Sequence, residues 1–205
     1  MNKEEIINYF NLNKSQTGNI EVFLSNIIQH NKHTNLIGRS TLENIWNRHV
    51  LDCLQLSKHI ERKKNKILDL GTGPGLPGVL LSIMGYKNIL MVDSSRKKAE
   101  FVKSIISKLS LPAKIINKRI ENVSVAKQDI IVSRALAPLN KLLTYSLIHS
   151  NKKTTLLFLK GRNVNNELKI AKKNFFFEYK MIESISLGDG CILQIKNIKT
   201  KKNND

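Results

Sequence analysis

The stretch ILDLGTGPGLPGVLLSI, residues 67–83, carries an apolar strand into a run of closely spaced glycines and out into an apolar helix. Glycine lets the backbone turn sharply there and lets a ligand lie against main chain that no Cβ shields. Gly73-Pro74-Gly75-Leu76-Pro77-Gly78 matches G-x-G-x-x-G, and it follows a strand and opens a helix, as nucleotide-binding loops of α/β folds do. Pro77 suits the first helical turn, where its missing N–H costs nothing. Downstream the texture alternates. Short apolar strands at 67–70, 88–93, 113–116, 129–133 and 155–160 are separated by helical patterns, the clearest being SSRKKAEFVKSIISKL over 94–109. Such alternation predicts a doubly wound, mostly parallel sheet.

Both ends of the chain depart from that pattern. FFFEYKMIESISL, then Gly188-Asp189-Gly190, then CILQIKNI read as two strands joined by a tight turn, which adds an antiparallel strand at the C-terminus. Residues 1–65 read as a helical extension. Ile20, Phe23, Leu24, Ile27 and Ile28 are spaced for one helix, Gly38 interrupts, and Ile45, Val50, Leu51, Leu54 and Leu56 resume the pattern. The predicted organisation is a helical extension over 1–65, a Rossmann-like domain over 66–198 and a frayed basic tail over 199–205.

The chain has 205 residues and 41% hydrophobic content, enough for one full-sized core. No apolar run approaches the roughly 18 residues of a membrane span, and the N-terminus lacks the apolar segment of a signal peptide. Cys53 and Cys191 lie far apart and outside any CxxC spacing, so neither a structural zinc nor a disulfide is expected, and the compartment predicted is the cytoplasm. A net charge of +18 favours a polyanionic partner, most simply a nucleic acid. Richness in Lys, Asn and Ile is also a compositional bias. Against it stand the Arg residues Arg39, Arg48, Arg62, Arg96, Arg119, Arg134 and Arg162, several of them beside the motifs.

Two carboxylates bear on the ligand. Asp93 ends the second strand, where it can accept hydrogen bonds from both hydroxyls of a ribose. Asp69 lies at the end of the first strand, where it would repel a pyrophosphate and suit a cationic ligand. This favours S-adenosylmethionine over a dinucleotide. Both acids could instead cap the following turns.

GTGPGLPG, RHVLDCL (48–54), NLIG (35–38), VDSSRKKAEFVK (92–103), SRALAPLN (133–140) and LFLKGRN (157–163), in this order, resemble the bacterial 16S ribosomal RNA guanine-N7 methyltransferase family, RsmG, also called glucose-inhibited division protein B. The resemblance covers about residues 20–195. It implies a class I methyltransferase fold with a helical N-terminal extension, S-adenosylmethionine as cofactor, and 16S ribosomal RNA or the small ribosomal subunit as partner. It places cofactor contacts at Gly71, Leu76, Ile120, Glu121 and Arg134, with Gly73 and Asp93 joining them by the reasoning above. Leu136 replaces the aromatic or small residue that often follows SRA in the family, a change expected to matter little. A monomer is expected, with no metal and no membrane.

The chemistry implied is light on catalytic groups. Guanine N7 carries a free lone pair at neutral pH, so alignment with a sulfonium methyl can suffice. The Asn/Asp-Pro-Pro-aromatic signature of exocyclic-amine methylation is absent, and neither cysteine is expected near the active edge. Arg134 is expected to orient the cofactor or guanine O6 and to leave N7 free. Arg48, His49 and Asp52 form a polar group that either meets ligand or ties the extension to the sheet. Lys160 and Arg162 are candidate phosphate contacts after the fifth strand. Arg96, Lys97 and Lys98 place positive charge at a helix start, where an RNA backbone would offset the unfavourable dipole.

Overall fold

The structure, a computed structural model, describes residues 1–201. Seven strands form one sheet of order β3-β2-β1-β4-β5-β7-β6. These are β1 (Lys66–Leu70), β2 (Asn88–Asp93), β3 (Ala113–Asn117), β4 (Ile130–Arg134), β5 (Thr155–Lys160), β6 (Phe175–Glu183) and β7 (Cys191–Thr200). The first five pair in parallel, and β7 runs antiparallel to both β5 and β6. The order reverses at β1, so a crevice opens beyond the carboxyl ends of β1 and β4.

Alternation along β1 divides the core. Ile67 packs into one apolar cluster and Leu68 and Leu70 into the other, since successive strand side chains point to opposite faces. On Ile67's face lie α4 (Gly78–Ile83) and α5 (Arg96–Lys108); on the other lie α6 (Leu139–His149) and α7 (Val164–Asn174). The N-terminal residues join the first cluster. Helices α1 (Lys3–Tyr9) and α2 (Lys14–Asn31) both begin with an Asn capping box, Asn2 with Glu5 and Asn13 with Gln16. Ile6, Phe23 and Ile27, fully buried, share a cluster with Leu80 and Val102.

Three features differ from the sequence reading. Residues 46–59 do not form one regular helix: a π-helical stretch (Trp46–Leu51) passes into the short α3 (Asp52–Leu54) and then a 3-10 turn (Gln55–His59). The β6–β7 connection is not a tight turn. It takes residues 184–190, because Ile185 and Leu187 give their backbone N–H groups to Gln55 Oε1 (3.1 Å) and Asn47 Oδ1 (2.7 Å), and not to a hairpin partner. Finally, β7 runs on through Lys199 and Thr200, which pair with Phe176 and Phe175, so the expected tail starts later than residue 199. Its end, 202–205, lies outside the described residues.

Candidate active site at the carboxyl edge of the sheet

The glycine loop is held by main chain and two acids. Thr72 N–H donates to Val92 O (3.0 Å), and Gly75 and Leu76 N–H groups both donate back to Thr72 O (3.0 and 2.9 Å). Gly73 N–H donates to Asp93 Oδ2 (2.8 Å), while Asp93 Oδ1 accepts from Ser95 N–H (2.8 Å). Asp93 thus locks the loop to the start of α5 and keeps lone pairs on each oxygen. Two glycines are required for different reasons. Gly73, at φ +60°, opens to free space: a Cβ there would meet nothing within 4 Å, so a ligand can reach its backbone. Gly71, at φ +66°, is covered: a Cβ there would lie 2.4 Å from Leu136 Cδ1. Leu76 is buried beneath the loop.

Asp69 does not face a ligand. It is fully buried, and its Oδ2 accepts from Thr72 Oγ1 (2.5 Å) and Gly78 N–H (2.9 Å), while Oδ1 has no partner. Burial pushes its carboxyl up to about 7, against the pull of these two donors. The expectation that Asp69 meets a cationic group is therefore corrected: it braces the loop from inside, as a cap.

At the end of β4 the backbone turns through Ala135, at φ +52°. Arg134 reaches the N-terminal segment. Its Nε pairs with Asp52 Oδ2 (3.0 Å), and its Nη2 donates to Arg48 O (3.2 Å) and His49 Nδ1 (2.8 Å). Its Nη1 meets Cys53 Sγ at 3.8 Å. Because His49 Nδ1 accepts, its proton sits on Nε2 and is given to Thr41 Oγ1 (2.7 Å), which itself donates to Gly38 O (2.6 Å). Burial first, then Arg134 and Arg48, push His49 down to about 3, so the ring is neutral. Asp52 is raised by burial against the lowering influence of Arg134. The RHVLDC group ties the N-terminal segment to β4.

Beyond Leu136 the crevice widens into a cavity of about 600 Å³ between the ends of β4 and β5, the π-helical stretch and the 184–190 loop. Arg48, Arg134, Lys160 and Arg162 line it with the acids Asp52, Glu167 and Asp189. Lys160 Nζ pairs with Glu167 Oε2 and donates to Ala137 O (3.2 Å); that carboxylate also accepts from Leu139 N–H (2.6 Å). Arg162 is largely exposed and pairs with Asp189 (2.6 Å). The 3-10 turn Ile120–Asn122 follows β3 at the same edge; Ile120 is buried with Leu70 and Val92, and exposed Glu121 accepts from Tyr145 Oη (2.9 Å).

Contrary to the sequence expectation, both cysteines lie near this edge: Cys53 against Arg134, and Cys191 opposite Lys160 where β7 begins. Neither is a ready nucleophile. Burial pushes the Cys53 thiol up to about 12 and raises that of Cys191. Lys160, expected to meet phosphate, is instead nearly buried and tied to Glu167; Leu136, Glu167 and the 184–190 loop carried no local signal, because each acquires its role from residues distant in sequence. Among the described residues no cluster of His, Cys, Asp or Glu could hold a metal ion, and no helix is long and apolar enough to cross a membrane.

The fold recurs in solved methyltransferases. A TehB-like S-adenosylmethionine-dependent methyltransferase from Corynebacterium glutamicum superposes with a TM-score of 0.56 at 19% identity, covering 72% of this chain and 88% of that one. The glycopeptide N-methyltransferase MtfA, complexed with S-adenosyl-homocysteine, gives 0.57 at 8% identity, covering 71% and 88%. Sequence relatives extend over nearly the whole chain. The "Ribosomal RNA small subunit methyltransferase G" of Orientia tsutsugamushi is 36% identical over 190 residues, covering 93% of this chain and 94% of its own length. That of Paramagnetospirillum magneticum is 30% identical over 198 residues, covering 97% of each. The family model for rRNA small subunit methyltransferase G matches residues 16–192, a span holding the glycine loop, Asp93, the Arg134 network and the basic cavity together. With that arrangement and that match, the chain belongs to the rRNA small subunit methyltransferase G family.

Proposed function

We infer that the protein transfers a methyl group from S-adenosylmethionine to N7 of a guanine in 16S ribosomal RNA. The observation carrying this reading is the junction at Leu136, where the open glycine loop and a cavity lined with basic residues meet at one sheet edge. The residues fit the cofactor: free space over the Gly73 backbone, Asp93 beside it with lone pairs to spare, and the buried Leu76 and Ile120 beneath the edge. When bound, S-adenosylmethionine supplies a methyl carried on a positively charged sulfur. Gly71, Gly73, Leu76, Asp93, Ile120 and Glu121 are assigned to holding it. Arg134 is assigned to the cofactor with them, as an orienting group whose guanidinium is itself held by Asp52, His49 and Arg48.

The side chains around the edge suit an acceptor that has no proton to lose. His49 is neutral with both nitrogens bonded, the thiols are buried, Asp69 is sealed under the loop, and the cavity acids Asp52, Glu167 and Asp189 are each paired with a cation. What remains is orientation, which can supply much of a barrier when reacting atoms are held in line. Arg48 and Arg162, which line the cavity, are assigned to RNA phosphate. On this reading the chain acts as a monomer in the cytoplasm, on 16S ribosomal RNA or the small ribosomal subunit. Residues 1–65 serve as an extension packed against a methyltransferase domain of 66–198.

The test is incorporation of labelled methyl into ribosomal RNA by the protein and by Gly73→Arg. The arginine would fill the open space over the loop. It is expected to abolish incorporation while the far-ultraviolet circular dichroism stays unchanged. Undiminished incorporation by Gly73→Arg would remove the cofactor from this loop.

A further inference from the structure

The end of the molecule opposite the candidate active edge carries a second constellation suited to RNA. Phe176 on the edge strand β6 is 60% exposed, more than any other large hydrophobic side chain among the described residues. Lys201 Nζ stands over the ring, 4.7 Å from its centroid, and donates to Lys172 O (2.5 Å). The ladder partner of Phe176 is Lys199, near the end of β7. The pairing slips between Phe176 and Glu178, a β-bulge, and opposite it Asn197 adopts φ +56°. Beside the bulge lies a cavity of about 720 Å³ lined by Phe176, Phe177, Lys152, Lys199 and Leu147. One carboxylate, Glu178, also lines it, and it is engaged by Asn197 Nδ2 at 2.9 Å. Three lysines therefore gather at an exposed aromatic ring, against one hydrogen-bonded acid.

This end is remote from the cofactor loop. Cys191, at the start of β7, pairs with Lys160 at the active edge, while Lys199 pairs with Phe176 at the other end. At ~3.3 Å per strand residue the two ends are about 25 Å apart. An apolar ring left in water inside a ring of ammonium groups matches what unpaired nucleotides need. A base stacks on the ring face, and flanking phosphates take the charges. Bases inside a duplex are already stacked on each other and offer no such face.

We propose that the outer end of the β6–β7 ribbon is a second RNA-contact surface, where one unpaired base displaces Lys201 from the Phe176 ring and stacks on it while Lys152, Lys199 and the displaced Lys201 hold the adjoining phosphates. The proposal rests on the reading that RNA is the substrate. It adds a site far from the chemistry, able to anchor a large RNA while the active edge reaches its guanine.

The experiment uses the full chain carrying Phe176→Trp, with a short single-stranded oligouridylate as probe. The native Trp46 is the one other tryptophan, so wild type supplies the background. Stacking is expected to quench the new tryptophan beyond the wild-type signal, and a duplex of the same length is expected not to. Phe176→Ala should weaken oligouridylate binding roughly tenfold, the effect of one lost stacked base. Lys152→Glu with Lys199→Glu should weaken it further and flatten its salt dependence. Methyl incorporation into ribosomal RNA is measured on the same proteins. Incorporation without quenching, with affinity unchanged in Phe176→Ala and in the charge reversals, overturns the second surface and leaves the methyltransferase reading standing. Quenching without incorporation by any of the proteins keeps the surface and removes the catalytic reading. Equal quenching by the duplex overturns the assignment to unpaired bases.

Discussion

Gly71 and Leu136 touch only because one of them has no side chain, and that contact joins the glycine loop to the segment after β4. Gly71→Ala is expected to lower stability by about 1–2 kcal/mol for its left-handed backbone, with an overpacking cost of about 1–3 kcal/mol against Leu136. Adding Leu136→Ala should return the packing part and leave the backbone part. Urea unfolding of the two single variants and the double variant measures this, and strictly additive losses would mean the two residues do not interact. The same pair shows what is legible at this scale. Gly73 and Asp93 are legible because a glycine motif beside a strand end marks an open turn. Leu136 looked inconsequential, since the residue it covers lies 65 positions earlier in the chain (136 − 71). Asp69 was misplaced for a related reason: whether an acid at a strand end faces outward or under the loop depends on Thr72 Oγ1 and Gly78 N–H, which turn it inward.

The elements themselves were largely written in the sequence. Strands β2 and β5 fall on the residues their apolar runs predicted, 88–93 and 155–160, since a run of apolar residues bounded by polar ones reads the same in any buried parallel strand. The 184–190 connection was not legible. Its Gly-Asp-Gly resembles a hairpin turn, yet tertiary partners claim its backbone: Ser186 Oγ donates to Asp52 Oδ1 (3.0 Å), Arg48 Nη1 donates to Leu187 O (2.7 Å), and Gln55 bonds both Ser184 Oγ and Ile185 N. Gln55 is the hub that a sequence pattern cannot announce, buried at 3% exposure and bonded across 129 and 130 positions. Gln55→Ala should therefore free this loop and leave the sheet intact. Limited chymotrypsin digestion should show faster cleavage after Leu187 than in wild type, and an unchanged rate would mean the remaining contacts suffice.

At the scale of the whole molecule, the Arg134–His49 tie links stability to pH. His49 is held down at about 3, chiefly by burial and then by the two arginines, whereas in the unfolded chain it titrates near its ordinary ~6.5. The folded state binds fewer protons, so this contribution is complete above about pH 6.5 and is lost progressively as pH falls toward 3. His49→Gln removes the titration. Between pH 7 and pH 5 the variant should lose less unfolding free energy than wild type, by up to about 1.4 kcal/mol per pH unit for one proton. Equal losses would place the His49 proton outside the folding equilibrium. The charge of +18 is likewise a property of the whole chain, and it favours a polyanionic partner without locating where that partner binds.

On this reading the sheet edge methylates guanine N7 by orientation alone. The most direct measurement is transfer from labelled S-adenosylmethionine to 16S ribosomal RNA taken from cells lacking the protein, followed by digestion and identification of the labelled nucleoside. The expected product is 7-methylguanosine, present with the protein and absent without it. A label on an exocyclic amine, a ribose oxygen or cytosine C5 would demand a base or nucleophile that His49, Cys53 and Cys191 are not placed to provide, and would contradict it.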